Sequence, residues 1–558
     1  MTTATRSEEL VFVPLGGVGE IGMNLGLYGY GKRRSRKWLI VDFGVAFAGP
    51  DLPGVDLIYP DIAYLEEERA NIVGIVLTHA HEDHFGALID LWPRLRVPVF
   101  ATRFTAALLE AKSVEEPGAV TIPVSLVAPG DRFTLGPFDI EYVNVSHSIP
   151  DSHALAIRTP LGLVVHSGDW KIDETPVVSP PTDVKRLREL GKEGVLALLC
   201  DSTNALREGH SISESVVAEE LVRIVQEASG RVAFTTFASN VGRLRSIALA
   251  AASCGRDIIV VGRAMRRIID VATELGYLAG LPPFLDEEAF AYTPRERVLL
   301  LLTGSQGEPR AALARVAEDA HRNIELVPGD TLVFSSRAIP GNEKAINGII
   351  NALVARGVRV MTDRDGLVHV SGHPRQDELR EMYRLLKPAA LIPVHGEAMH
   401  LAAQAALARK SGIATVLTIE NGEIVRLAPS PVEQIDEIAA GRLYKDGLLI
   451  GDVDAIGVAQ RKRLAFSGHI VLFVVLDERG NMVTDPEVEL FGVPREDNAG
   501  RPLEDVVYSA ALETLESLPR PRRRDPDAVA ESLRRAVRAT VRQTWGKKPV
   551  CTVMVSVA

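Results

Sequence analysis

The segment LTHAHEDHFGAL, Leu77 to Leu88, places three histidines and two acids within six residues, directly after the β-branched run NIVGIV. A strand that ends in such a cluster limits what the chain can become. Either the loop is simply solvated, or the fold brings further ligands to the same sheet edge. His79, His81, Asp83 and His84 offer imidazole and carboxylate donors, which suit zinc or manganese. No cysteine lies nearby, which favours a catalytic centre over a structural zinc site. Three other strand ends carry matching residues: His147 in NVSHSIPDS, Asp169 in HSGDWKID and His395 in IPVHGEAMH. Four ligand-bearing strand ends favour the metal over the solvated loop.

At 558 residues the chain has room for roughly two to four domains of about 150 residues. Hydrophobic residues make up 46% and charged residues 24%, a globular balance. No apolar run reaches the roughly 18 residues that span a bilayer, and the first ten residues lack the apolar core of a secretion signal. Cys200, Cys254 and Cys551 are widely spaced, so no disulfide framework is expected. The expectation is a reduced, cytoplasmic protein with no membrane contact. The net charge of −11 speaks against nucleic acid as a partner, but local patches decide binding. Ten Lys/Arg residues between Pro519 and Lys548 form one patch, facing only Asp525, Asp527 and Glu531. It fits a solvated helix face as well as an RNA contact.

To about residue 210 short strands dominate, with helices interleaved. From about Ser213 helical stripes such as SISESVVAEELVRIVQEA alternate with apolar strands such as RVLLLLTGS, which predicts a parallel α/β module. Near Arg364 strands ending in histidines return, so this module reads as an insertion. A small α/β unit follows from about Lys462. Its second helix, Asp527 to Trp545, lines up Val529, Leu533, Val537 and Val541 on one face. Gly17, Gly19 and Gly22 match the dinucleotide fingerprint, with Asp42 at the expected distance. The next residues, MNLGLYGYG, carry no helical stripe, so the glycines read as a strand-to-strand turn.

HVSGH, His369 to His373, is a candidate phosphate cradle. Gly372 lets the backbone approach a ligand, Val370 lies within the segment, and Ser371 with His369 and His373 supplies donors.

These residues resemble a known family. THAHEDH is similar to the signature of the metallo-β-lactamase superfamily, whose αββα sandwich binds two metals at one edge. Asp201 in LLCDSTNA, His373 in HVSGH and His395 resemble the motifs of its β-CASP branch. TTFASNVGR, TGSQGEP, FSSRAIPGNE and IPVHGE resemble the ribonuclease J family in particular.

The resemblance implies the metallo-β-lactamase fold in two parts, 1–210 and 365–430, an inserted β-CASP domain over 211–364, a linker at 431–461 and a dimerising C-terminal domain at 462–558. It implies two divalent ions, Zn2+ or Mn2+. His79, His81 and His147 would hold one, and Asp83, His84 and His395 the other, with Asp169 bridging. Asp42 and Asp201 would orient histidines from behind. Asp83 and Asp169 would orient the attacking water, and His373 would face the scissile phosphate.

The implied activity is 5′→3′ degradation of single-stranded RNA from a 5′-monophosphate end, with internal cleavage when RNA threads through, in RNA decay and in rRNA and mRNA processing. Arg243, Arg263, Arg266, Arg267 and Arg337 are candidates for phosphate contacts. The implied partners are a second copy of the chain, as a homodimer or dimer of dimers, and an RNA-degradation complex. The alternative is a β-CASP endonuclease acting mainly internally or on DNA. His395 weighs against DNA, since DNA-acting members typically have valine there. A single-substrate hydrolase of the same fold would lack the insertion.

Overall fold

The strand Glu9–Gly16 is buried along nearly its whole length, which requires layers on both of its faces. The computed structural model describes residues 8–339 and 341–558. One unit holds the chain to Ala46 together with Ile58–Arg442; the other holds Phe47–Leu57 and Leu443–Ala558.

In the larger unit Glu9–Gly16 lies within an eight-stranded sheet. Glu423–Ala428 and Glu433–Glu437 lie to one side of it; Leu25–Gly31, Lys37–Val41, Ile72–Val76, Val99–Ala101 and Val124–Leu126 follow on the other. A seven-stranded sheet runs from Arg132–Leu135 through Phe138–Asn144, His153–Thr159, Gly162–His166, Val195–Asp201 and Ala390–Val394 to Thr415–Val416. Phe12, Tyr28, Leu39 and Val76 of the first sheet share a core with Tyr142, Leu155, Val164, Leu199 and Ile392 of the second. The helices Val184–Glu193, Gln376–Leu386 and Ala398–Lys410 cover the outer face of the second sheet through Leu187, Met382, Leu386 and Leu407. The expected αββα sandwich is present.

Val195–Asp201 and Ala390–Val394 are neighbours in that sheet, paired in parallel from Ala197↔Ala390 to Asp201↔Val394. Between them in the chain lies a six-stranded sheet, Phe284–Leu285, Asp257–Val261, Val298–Leu302, Val232–Thr235, Thr331–Phe334 and Arg359–Met361 in spatial order. Every pairing in it is parallel. Its strand Val298–Leu302, VLLLL, is buried at every position, as a sheet covered on both faces demands. The helix leading into it, Glu214–Glu227, is capped by the Ser213 hydroxyl. The module is thus inserted between two neighbouring strands.

The second unit contains a three-stranded sheet in the order Glu487–Phe491, His469–Leu476, Val550–Val557. Ile470, Leu472, Val474 and Leu476 alternate inward and meet Val529, Leu533, Val537 and Val541 of the helix Pro526–Trp545. Asp525 caps that helix at one end, and Gly546, at φ 84°, ends it in the left-handed conformation. Two expectations need correction. Residues 431–461 are not a bare linker: Glu433–Glu437 extends the first sheet, and Arg442–Asp446 and Leu449–Gly451 pair as a hairpin. The small unit begins at Leu443, before Lys462, and includes Phe47–Leu57. Backbone pairing decides these bounds, and the weakly apolar strands that make it left little trace in composition.

Among the described residues no helix is long and apolar enough to cross a membrane. Leu533 is fully buried, so Leu533→Ala is expected to cost about 2–5 kcal/mol. Hydrogen exchange should then quicken in Val550–Val557 while Glu9–Gly16 keeps its protection; equal quickening in both strands would contradict this.

Candidate metal centre

The strand Ile72–Val76 delivers the histidine cluster, and the strand beside it supplies the clamp. Asp42 follows Lys37–Val41 with φ +63°, a left-handed conformation that a non-glycine residue adopts at some cost. Its carboxylate accepts hydrogen bonds from the Thr78 amide (2.7 Å), the Thr78 hydroxyl (2.8 Å) and His84 Nδ1 (2.7 Å). Because the Thr78 hydroxyl donates to Asp42, its oxygen accepts from His79 Nδ1 at 2.9 Å. One buried carboxylate thereby sets the tautomers of two histidines.

His147 Nδ1 donates to the Gly372 carbonyl at 2.7 Å. With their Nδ1 protons committed, His79, His84 and His147 each turn Nε2 toward the site. His79 Nε2 and His147 Nε2 both lie 3.1 Å from His81 Nδ1. The Asp169 Oδ2 atom is 3.3 Å from His84 Nε2, 3.4 Å from His395 Nε2, 3.6 Å from His147 Nε2 and 3.7 Å from His79 Nε2. Asp83 Oδ2 stands 3.6 Å from His84 and 3.7 Å from His395. Three overlapping four-residue groups result: His79, His81, His147 and Asp169; Asp83, His84, His395 and Asp169; and Asp169, Asp201, His373 and His395, in the last of which the His373 ring is already bonded to Asp201. Lone pairs facing lone pairs repel unless a proton or a cation lies between them. Asp169 Oδ1 and His395 Nδ1 are also buried without a hydrogen-bond partner. The donor set fits divalent metal ions.

The electrostatics divide the histidines. Burial, reinforced by neighbouring imidazoles, holds His79 and His81 well below the usual histidine range, and burial lowers His147 to about 4. Burial opposes charge on His84 and His395 too, but Asp169 leads the carboxylates that raise both. Asp169 is resisted by burial yet held well below the usual carboxylate range by His395, His84 and His373. The carboxylates that would keep a proton on His84 and His395 can hold a cation in its place.

Gly17 and Gly22 lie between strands and Gly19 ends the short strand Val18–Gly19, with positive φ at all three. They also shape the site. His395, at φ +52°, donates its amide to the Gly17 carbonyl at 2.6 Å. A Cβ on Gly17 would lie 2.3 Å from Asn24 Oδ1, and the Asn24 amide side chain reaches the Asp83 carbonyl at 3.1 Å and His84 Nε2 at 3.1 Å.

Asp201 accepts from His373 Nδ1 at 2.7 Å, so among the histidines it orients the one outside the proposed metal sets. In the HVSGH segment Val370 is buried. A Cβ on Gly372 would fall 2.6 Å from His147 Nδ1, so this glycine makes room for the His147 ring. The Ser371 oxygen accepts from Asn204 Nδ2 (2.9 Å) and the His373 amide (3.3 Å), leaving its proton free to donate. His369 is held well below the usual range by burial and by Arg243 and Arg337.

The arginine candidates separate sharply. Arg243 is fully buried and cannot touch RNA: it pairs with Glu214 (2.6 Å) and donates to Ser335 Oγ (2.6 Å) and the Val368 carbonyl (2.8 Å). Arg266 pairs with Asp286 and Arg267 with Glu115. Arg263 and Arg337 are exposed. Sequence reasoning overlooked Asn24, Thr78 and Asn204 as positioning groups, because a single amide or hydroxyl in a loop carries no spacing signal. Glu378 was overlooked likewise; it accepts the amides of Ile172, Ser211 and Arg375.

Removing one donor from a centre built from few should weaken metal uptake. After dialysis against chelator and reloading with zinc or manganese, His81→Ala and Asp83→Ala should each retain less metal than the wild type by elemental analysis. Saturating metal should raise wild-type stability by about 3 kcal/mol at one hundred times Kd, and each variant by less. Equal metal content and equal stabilisation would remove these residues from the centre.

Comparison with known proteins now adds to this geometry. The metallo-beta-lactamase superfamily matches residues 33–263, and the beta-CASP domain of ribonuclease J matches 229–353. The Zn-dependent metallo-hydrolase RNA specificity domain matches 357–418, and the ribonuclease J C-terminal domain matches 456–557. A solved structure of a protein of unknown function from Enterococcus faecalis shares the fold at a TM-score of 0.52 and 16% identity, over 75% of this chain and 100% of its own. Ribonuclease J of Thermus thermophilus is 37% identical over 97% of this chain and 94% of its own length. Ribonuclease J of Sinorhizobium meliloti is 56% identical over 99% of this chain and 98% of its own. Such identity along nearly the whole of both chains leaves one conclusion: the chain belongs to the ribonuclease J family.

Proposed function

We propose that this chain, a metal-dependent ribonuclease, degrades single-stranded RNA in the 5′→3′ direction from 5′-monophosphate ends and also cleaves internally. One observation carries the reading: the donor atoms around Asp169 converge beside a histidine, His373, that is anchored through Nδ1 and so has Nε2 to offer to a substrate. His79, His81 and His147 would hold one divalent ion, and Asp83, His84 and His395 a second, with Asp169 shared. Zn2+ suits the imidazole-rich set best, and Mn2+ is accepted by the same donors. Bound there, the ions activate water and neutralise charge on the phosphodiester.

The chain's own residues do the rest. Asp83 and Asp169 orient the attacking water. Burial opposes charge on His373, but Asp201 and Asp169 prevail and push its pKa up to about 9. Held through Nδ1 by Asp201, His373 would offer a proton at Nε2 to the leaving oxygen. Asp201 fixes the ring that does so, and Asp42 fixes His84 and, through Thr78, His79. The free proton of Ser371 and the His369–His373 loop supply the cradle for a terminal phosphate.

Residues 1–210 and 365–430 are read as the metallo-β-lactamase domain around the β-CASP domain at 211–364. The C-terminal unit is read as the element of a homodimer or dimer of dimers, working in the cytoplasm on RNA decay and rRNA and mRNA processing.

RNA labelled at either end tests the polarity. A cradle sized for one phosphate should make 5′-monophosphorylated RNA a faster source of mononucleotides than 5′-triphosphorylated RNA. His373→Ala should cost on the order of 10²–10³ in rate, the loss typical of a single donor to transition-state charge. Ser371→Ala should narrow the preference for monophosphate and spare internal cleavage. Equal wild-type rates on the two ends would overturn the exonuclease reading.

A further inference from the structure

Three guanidiniums beside the His369–His373 loop have no role in this scheme. Asn204 Nδ2 donates to Ser371 Oγ and to the His373 carbonyl (3.1 Å), fastening its own segment to the loop. Arg207 lies three residues further on, and its carbonyl accepts the Gln376 amide at 3.0 Å. Arg375 is the neighbour of Gln376 and stands two residues past His373. From the inserted module, the Ser335 hydroxyl donates to the Val368 carbonyl at 2.7 Å. Arg337 follows two residues later, exposed, with its carbonyl held by Gln306 Nε2 at 2.8 Å. All three arginines thus project from segments tied to one short loop.

None of them forms an ion pair with a carboxylate among the described residues. The neighbouring arginines differ, since Arg243, Arg266 and Arg267 are each paired with an acid. Arg207 is held below the ordinary guanidinium range by burial and then by the like charges of Arg337 and Arg375, which the Asp363 carboxylate offsets only in part. In a chain with 73 acidic and 62 basic residues, three neighbouring guanidiniums without an ion-pair partner are not a default surface. Guanidinium forks match phosphate oxygens in shape and charge.

We propose that Arg207, Arg337 and Arg375 form a subsite for backbone phosphates of single-stranded RNA, holding the strand beside the His369–His373 loop. The assignment rests on the ribonuclease reading for its ligand, and the subsite draws its residues from both the sandwich and the inserted module. It supplies affinity to a strand with several phosphates, which a single phosphodiester at the metal centre cannot use.

The test uses full-length, metal-loaded protein with Arg207→Gln, Arg337→Gln and the double substitution. Three readouts are taken: KM for 5′-monophosphate and for 5′-hydroxyl RNA across a salt series, Kd for phosphorothioate-linked RNA that resists cleavage, and turnover of bis(p-nitrophenyl) phosphate. Each substitution should raise KM and Kd for both RNAs on the order of tenfold. Each should also flatten the dependence of log Kd on log salt by roughly 0.7. The loss on bis(p-nitrophenyl) phosphate should be much smaller, and Arg207→Lys should recover part of the salt slope.

Unchanged Kd and salt slope would overturn the subsite. Equal losses on RNA and on the single phosphodiester would reduce the arginines to structural parts. A loss confined to 5′-monophosphate RNA would assign them to the chain end and overturn the backbone assignment. Wild-type protein that binds the resistant RNA through these arginines, yet cleaves no RNA, would sink the ribonuclease reading and leave the subsite standing.

Discussion

The buried carboxylate of Asp169 is the constraint on which the rest of the site depends. Its Oδ2 lies between 3.3 and 3.9 Å from ring nitrogens of His84, His395, His147, His79 and His373. An isolated carboxylate taken out of water costs several kcal/mol or more, so its surroundings must supply positive charge. Imidazoles that present lone pairs would supply it by sharing cations. Those lone pairs point inward only because Asp42, Thr78 and the Gly372 carbonyl take the protons on the far side of each ring. The ring orientations are therefore fixed by acceptors that lie outside the proposed metal sets.

Those acceptors come from distant parts of the chain, and the sandwich brings them together. Asp42 and Thr78 end adjacent parallel strands. Asp201 and Val394 end another adjacent pair, which places His395 in line with Asp201 although the inserted module separates them in sequence. Two residues of the site, Asp42 and His395, sit at positive φ. Strain of roughly 1–3 kcal/mol at such positions persists only when the surroundings over-determine it. Here strand pairing and hydrogen bonds to both residues do so.

The inserted module is coupled to the same site through one buried charge. Arg243 reaches both oxygens of Glu214, the Ser335 hydroxyl and the Val368 carbonyl. Val368 opens the loop that ends in His373. A buried arginine that lost these partners would be strongly destabilising, so the loop is held wherever the module's core is intact. Arg337 and Arg207 then border that loop from the module and from the sandwich, which is how a chain of net negative charge presents a local basic surface.

The histidine and carboxylate cluster was legible in the sequence because His79 to His84 lie close together directly after a buried strand. The inserted α/β module was legible from the change to alternating helices and strands, and the helix Pro526–Trp545 from its four-residue apolar spacing. Arg243 was misread, since a basic residue near a helix start looks the same whether it meets RNA or a buried glutamate. Asn24, Asn204 and the unpaired state of Arg207, Arg337 and Arg375 had no local signature either. Spacing along the chain reveals donors that act together from one segment. Which acceptor turns a ring, which guanidinium finds a carboxylate and which stays free depends on contacts between segments hundreds of residues apart, and only the packed sheets decide those.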